Sequence, residues 1–180
     1  MERTHRHNEA VAAFEHAHAD WDETIRQIGL DRMNDPGIMG EWSGKDLVAH
    51  ISGWQWKTIE NMKAILAGTG NPPTPWPAEW NDPSNWDNDG DTERINTWIH
   101  EETAKVSVDD VIQQSRDQWQ ALREIVASLS LDQMDDPNLF PRLGGKSLND
   151  SFLSGDFFGH IHEHMEADVT PWLAKHGHRL

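Results

Sequence analysis

The chain has 180 residues, which suits a single domain over residues 1–180 with one continuous core. Its 31 acidic and 15 basic residues give a formal net charge of −16, so the field of the protein repels nucleic-acid phosphates and anionic membrane surfaces. Cysteine is absent, which excludes disulfides, a thiolate nucleophile from this chain and cysteine-ligated zinc, and leaves His, Asp and Glu as the metal-ligating side chains.

The sequence also lacks the apolar segments that targeting and membrane insertion use. Residues 1–10 contain no apolar signal core, and no stretch approaches about 20 consecutive apolar residues. We therefore predict a cytoplasmic protein whose partners are small molecules rather than nucleic acid or membrane.

The first predicted helix spans residues 6–28. Its inward face repeats every three or four positions and consists of Val11, Phe14, His18, Trp21, Ile25 and Ile28. His18 is thus expected to face inward, either as a polar core residue or as a contact to substrate. The turn at residues 34–37, which contains Pro36 and Gly37, ends this helix.

The second predicted helix spans residues 44–66. Ser43 precedes it, with a hydroxyl that caps the first turn, and Asp46 three residues on completes a capping box. The apolar period places His50 and Trp54, four residues apart, on the inner face of this helix.

A long connection follows at residues 67–91. It contains five prolines, so it is not expected to be helical. Its three tryptophans, Trp76, Trp80 and Trp86, favour packing over disorder, and loops of this length in compact domains are typically functional covers. The connection is therefore predicted to be a lid.

Three more helices are predicted beyond the connection. A short one covers residues 92–104 and a long one covers residues 108–129. The last begins at Ser147 or Asn149 and continues to about residue 176, with Pro171 as a kink. Four amphipathic helices of about 20 residues, joined by one short turn and two longer connections, predict an all-α four-helix bundle.

Three of the eleven histidines lie on predicted inner faces. His160 and His164 are one turn apart on the last helix, and His50 is on the second. Three imidazoles can hold one divalent metal ion and leave a coordination position for water or substrate. The alternative is that these are hydrogen-bonded core residues, since a pair four positions apart also arises by chance among so many histidines. His162 is expected to point to the opposite, solvated side.

Two segments resemble the DinB/YfiT-like superfamily: residues 41–54, E-W-S-G-K-D-L-V-A-H-I-S-G-W, and residues 160–164, H-I-H-E-H. In that superfamily a W-S-x-K-D-x-x-A-H-x-x-x-W segment opens the second helix and an H-x-x-x-H pair lies on the last helix. The resemblance implies a homodimeric four-helix bundle with a divalent ion, often zinc or nickel, on three histidines. Carried over by motif, these ligands are His50, His160 and His164.

Within the superfamily, the tryptophan-rich connection and residues 92–119 look most like the ClbS/DfsB group. They are also similar to the N-terminal domains of mycothiol-dependent maleylpyruvate isomerases. This similarity implies either thiol-dependent S-transferase or isomerase activity, or a hydrolase that disarms a cyclopropane-bearing genotoxin. ClbS-type proteins need not use the three-histidine metal.

The leading hypothesis is a metal-dependent small-molecule enzyme, either a thiol-dependent transferase or a hydrolase, acting on an electrophilic substrate. Its metal would activate water or a low-molecular-weight thiol cosubstrate. The predicted substrate contacts are His18, Trp54, Trp76 and Phe157. Candidates to orient a ligating histidine are Glu163 and Asp168. The alternative is a non-catalytic or metal-free protein that sequesters or disarms an apolar small molecule in self-protection.

Overall fold

Helices dominate the computed structural model, which describes residues 1–81 and 90–177. The first four are α1 at Glu2–Ile28, α2 at Gly44–Ala67, α3 at Thr92–Thr103 and α4 at Val108–Ser128. The C-terminal part contains α5 at Leu131–Asp135, α6 at Leu148–Ser154, α7 at Gly159–His164 and α8 at Thr170–His176. The predicted all-α fold is confirmed. None of the helices in the described ranges is both long and apolar enough to cross a bilayer.

The core is built on large aromatic side chains. The Phe14 ring of α1 lies 5.7 Å from that of Trp119 on α4 and 5.6 Å from that of Phe152 on α6. Trp21 is fully buried, and its indole N–H donates to the hydroxyl of Ser115 at 3.1 Å. Each buried aromatic ring contributes about 2–3 kcal/mol of hydrophobic free energy. This core joins α1, α4 and α6, and α2 packs along α4.

The structure differs from the prediction between α1 and α2. Part of the expected loop forms a small antiparallel hairpin, with β1 at Pro36–Met39 and β2 at Trp42–Ser43. Gly37 and Gly40 have φ values of 97° and 61°, which glycine adopts without steric cost, so the chain reverses tightly here. The hairpin carries Trp42 to the start of α2.

The predicted continuous last helix is wrong, because the structure breaks it at Gly155. Gly155 has a φ of 78° and forms the left-handed cap of α6, and a short 3-10 turn then spans Asp156–Phe158. The apolar periodicity continues across the break, since Phe158 is still buried. Periodicity therefore did not reveal a stop that depends on one glycine conformation.

The distortion predicted at Pro171 takes the form of a π-helical turn at Met165–Val169, directly before α8. Proline lacks an N–H and its ring crowds the carbonyl four residues earlier, so a regular α-helix is disfavoured there. The hydroxyl of Thr170 donates to the carbonyl of Met165, five residues back, at 2.8 Å. Turns of this kind are frequent near functional sites.

The described part of the long connection packs on α2 and α3. Trp76 is buried, and its ring centroid lies 6.1 Å from that of Trp54, 6.0 Å from that of Trp56 and 6.1 Å from that of Trp98. Residues 82–89, which include Trp86, lie outside the described residues. The function of the connection as a lid stays a prediction.

Candidate metal centre

His50 is positioned by the capped start of α2. The Ser43 hydroxyl accepts a hydrogen bond from the backbone N–H of Asp46 at 3.3 Å, and the Asp46 carboxylate accepts one from the backbone N–H of Ser43 at 2.9 Å. This is the predicted capping box. The ammonium of Lys45 donates to two carbonyl oxygens where α3 ends, each at 3.2 Å. His50 follows one turn later and is only 3 % exposed.

His160 and His164 lie on successive turns of α7, with ring centroids 4.8 Å apart. Phe158, buried directly before α7, anchors this segment in the core. The Nδ1 atom of His164 lies 2.7 Å from a carboxylate oxygen of Asp168, which belongs to the π-helical turn. The contact predicted for Asp168 is therefore present, and it fixes the orientation of the His164 ring through Nδ1.

The three histidines predicted from the sequence come together. The Nε2 atom of His160 lies 3.0 Å from Nε2 of His50 and 3.1 Å from Nε2 of His164, and the three candidate ligand atoms all lie within 4.8 Å of one another. A tetrahedral ion with bonds of about 2.0–2.1 Å to nitrogen separates its ligand nitrogens by about 3.3 Å. The spacing therefore suits one shared divalent ion.

A count of ring protons supports the same conclusion. A neutral His164 that donates its Nδ1 proton to Asp168 has only a lone pair at Nε2. His160 must then supply the proton for its contact with His164, and that one proton also has to serve the contact with His50. A single cation accepts all three lone pairs at once, so the donor set fits a metal ion better than a hydrogen-bonded cluster.

The environment keeps His50 neutral. Burial, followed by the charges that His160 and His164 would carry, lowers the pKa of His50 to about 3, and a contact with Asn96 offsets this slightly. Among the described residues, the buried Nδ1 atom of His50 has no partner with good hydrogen-bond geometry. His50 is thus unprotonated at neutral pH, as a metal ligand must be.

The histidines line a cavity of about 440 Å³, called the histidine cavity here. Its walls include Trp42, Trp54 and Asn96. Trp42 is held by stacking on His100, with ring centroids 5.0 Å apart and planes 4° apart. The indole N–H of Trp54 donates to the Asn96 side chain at 2.8 Å. His50 is buried and His160 is exposed, so the site opens on the side of α7.

A second cavity of about 220 Å³, the apolar cavity, adjoins the first, and both are lined by Trp54, Arg142 and His160. Its apolar walls are Ile51, Trp54, Leu143, Phe157, Phe158 and Ile161. We call the two neighbouring cavities together the cleft: metal-binding groups line one of them, and mostly apolar side chains line the other.

The structure places the predicted substrate contacts in different regions. Trp54 lines both cavities of the cleft, and Phe157 lines the apolar cavity. His18 lies elsewhere, with its ring stacked on Trp119 at 4.7 Å and its Nδ1 atom 3.0 Å from the Arg123 guanidinium. Trp76 lines a separate cavity of about 420 Å³ together with tryptophans of α2 and α3. Their roles as substrate contacts stay predictions.

Sequence reasoning missed several residues of the histidine cavity. Trp42 had a signal, because it stands in the superfamily motif before Ser43, but it was not assigned to the site. Asn96 and Arg142 had none, since a short helix and an irregular turn carry no pattern that points to a cavity. Glu163, a predicted candidate to orient a ligating histidine, also lines this cavity. His162 was predicted to lie on the solvated side, but it is half-buried, because it packs beside Phe158 with ring centroids 6.2 Å apart.

Comparison with family models gives a match to the DinB superfamily over residues 14–166, and the chain belongs to this superfamily. The match covers the whole of α2 and α7, so it includes all three histidines. Comparison with curated proteins gives no match, and comparison with solved structures gives none either.

Proposed function

We propose that this member of the DinB superfamily holds one divalent metal ion on His50, His160 and His164 and uses it to activate a nucleophile against an electrophilic small molecule. The observation that carries the proposal is the convergence of three imidazole Nε2 atoms, with separations of 3.0 Å and 3.1 Å along the cluster. Such an ion supplies Lewis acidity, which lowers the pKa of a bound water towards about 7 and favours the thiolate form of a thiol.

The other residues of the site have separate roles in this proposal. Asp168 holds the His164 ring through Nδ1 and so directs Nε2 towards the cavity. Trp42 and Trp54 exclude water from the buried side of the cavity. Among the described residues that line the histidine cavity, Glu163 is the only carboxylate. In this proposal its oxygens accept the proton that the nucleophile loses.

The nucleophile is either water or a thiol cosubstrate. The chain contains no cysteine, so a thiolate has to come from a second small molecule. The histidine cavity, at about 440 Å³, and the adjoining apolar cavity together offer room for both partners of a transfer reaction. This arrangement supports a thiol-dependent transferase or a hydrolase, with Trp54 and Phe157 as walls for the substrate.

The first experiment measures metal binding to protein purified without an affinity tag. Zinc and nickel are titrated by calorimetry into wild type, His160→Ala and His16→Ala. His16 is the matched control, because it is an exposed histidine of α1 outside the cluster. We expect one ion per chain in wild type and in His16→Ala, and at least about a 100-fold loss of affinity in His160→Ala. Equal affinity in all three proteins contradicts the proposal.

The second experiment measures chemistry on the loaded protein. An aromatic chloride that reacts with thiols reports transfer, and an activated aryl ester reports hydrolysis. Glu163→Gln should slow whichever reaction is present by about 10²-fold or more while leaving zinc affinity unchanged, because the carboxylate moves a proton and is not a ligand in this proposal. Loss of zinc together with activity would instead make Glu163 a ligand.

The tryptophan cavity favours a second candidate, a protein that sequesters an apolar molecule. Trp56, Trp76 and Trp98 line this cavity of about 420 Å³, which does not include the three histidines. An apolar fluorescent probe should then bind the metal-free protein and the His160→Ala variant equally, and Trp98→Ala should weaken it. A protein without stoichiometric metal that binds the probe supports this candidate over the enzyme.

A further inference from the structure

Among the described residues, one permanently charged cation faces the cleft. Arg142 lines both the histidine cavity and the apolar cavity, and among the described residues it is the only lysine or arginine that lines either. It lies on a 3-10 turn at Pro141–Leu143, between buried Phe140 and Gly144, whose φ is 62°. Buried Phe140 and the cap at Gly144 therefore fix the position of the Arg142 backbone.

The local charge of the loaded cleft is opposite to that of the whole chain. Three neutral imidazoles leave the charge of a divalent ion uncompensated, and Arg142 adds a further positive charge. Glu163 and Asp168 offset part of it. Asp156, which lines the apolar cavity, is paired with Lys146. Counted over these described groups, the loaded cleft is net positive in a chain with a formal charge of −16, which favours an anionic group there.

The chemistry of arginine and of the neighbouring walls bears on the kind of anion. A guanidinium has five N–H donors in a planar fork, enough to contact the protein and a ligand at once, and the fork matches a carboxylate or a phosphate. The single charge of a carboxylate costs less to place beside apolar walls than the higher charge of a phosphate monoester. The neighbouring walls favour an apolar ligand body, because Ile51, Phe158 and Ile161 are at most 8 % exposed and Phe157 stands beside them. The guanidinium of Arg142 and these apolar walls line the same cavity.

We infer that the substrate of this site is an apolar carboxylate, with its body in the apolar cavity and its carboxylate on Arg142. The inference rests on the proposed function, since it names the substrate class of the same cleft. Arg142 is then the residue that selects acids over neutral molecules of the same shape.

The test uses a matched pair of probes, 4-phenylbutyrate and 4-phenylbutanamide, which share the same apolar body. Binding of both is measured by calorimetry to zinc-loaded and metal-free protein. The variants are Arg142→Gln, Arg142→Lys and the control Arg116→Gln, which removes an exposed arginine of α4 outside the cleft. Arg142 is exposed, so its variants are expected to fold, and melting temperatures check this.

Arg142→Gln should weaken binding of the carboxylate about 10-fold and leave binding of the amide unchanged. Arg142→Lys should retain part of the preference, because it keeps the charge and loses the fork. Phe157→Ala should weaken both probes alike. If Arg142→Gln affects neither probe, or both equally, the inference is overturned.

The two proposals fail separately in this design. If the protein binds zinc but Arg142→Gln does not weaken binding of the carboxylate, the proposed metal site is supported and the inferred substrate class is overturned. A protein that binds no zinc loses the proposed function, and the same probe pair on that protein still decides whether Arg142 selects a carboxylate.

Discussion

Two regions of the molecule present histidines to one point, and they are built in different ways. The capped segment, residues 42–54, is a regular helix start with a complete capping box, and it supplies His50, which is buried. The interrupted segment, residues 148–176, contains a glycine break, a 3-10 turn and a π-helical turn, and it supplies the more exposed His160 and His164.

The capped segment supplies a rigidly held histidine, and the interrupted segment leaves the site accessible. Regular backbone hydrogen bonds and burial hold His50 in one place whether or not an ion is present. The interrupted segment has fewer regular helical bonds, so its two histidines depend more on side-chain contacts such as the one between Asp168 and His164. A ligand can enter from this side because His160 is exposed. The predictions below test this division, from the largest expected effect to the smallest.

Zinc should stabilise the fold and protect the interrupted segment most. At a free concentration 1,000 times its dissociation constant, an ion that binds only the folded state adds about 4 kcal/mol to the free energy of unfolding. Urea titrations measure this gain, and amide exchange should slow more at residues 159–169 than at residues 44–55. The His160→Ala protein should gain nothing. Equal protection of both segments would remove the distinction between them.

Asp168→Asn should weaken zinc binding about 10-fold, because the neutral amide holds the His164 ring less firmly and lowers its basicity. Competition with a chelating dye measures the affinity. Glu166→Gln is the matched control, since it removes an exposed charge from the same turn. An equal loss in both variants would mean that only long-range charge matters here.

Ser43→Ala should lower the free energy of unfolding by about 1 kcal/mol through loss of the cap of α2. It should also weaken zinc binding, because His50 lies in the second turn of that helix. Ser107→Ala removes the matching cap of α4 and should cost the same stability with no change in zinc affinity. If both variants leave zinc affinity intact, the cap of α2 is not what holds His50.

Gly155→Ala should lower the free energy of unfolding by about 1 kcal/mol, because its φ of 78° is strained for alanine. Gly159→Ala is the control on the same segment, where φ is −52° and an added Cβ meets open space. That substitution should be neutral or slightly stabilising. Thermal unfolding compares them, and a neutral Gly155→Ala would show that the break does not need glycine.

The smallest expected effect is a change in stability at acid pH that depends on Asp156, the residue after Gly155. A hydrogen bond from Lys146, and then one from Ser154, lowers the pKa of Asp156 below its usual value of 3.8. The carboxylate therefore stabilises the fold above pH 3.8, and this contribution is lost as the pH falls through the lowered pKa. Asp156→Asn should thus be less stable than wild type near neutral pH, and the difference should shrink in acid. A difference that stays constant with pH would contradict this.

Much of the capped segment was predictable, because its determinants are local. A capping box needs residues three positions apart, and an inner face needs only the helical period. The sequence therefore predicted both the capping box of Ser43 and Asp46 and the inward position of His50. The interrupted segment was predictable only in part. His160 and His164 share a face because they are one turn apart, but the stop at Gly155 depends on a backbone conformation that apolar spacing does not reveal.

The sequence by itself determined the all-α class, the starts of α2, α3 and α4, and the three histidines, since each follows from spacing along one chain segment. Only the tertiary structure decided that Trp42, Asn96, Arg142 and Glu163 surround those histidines and that an apolar cavity adjoins them. These neighbours come from four separate elements, so their proximity depends on how helices and turns pack, which no local pattern records.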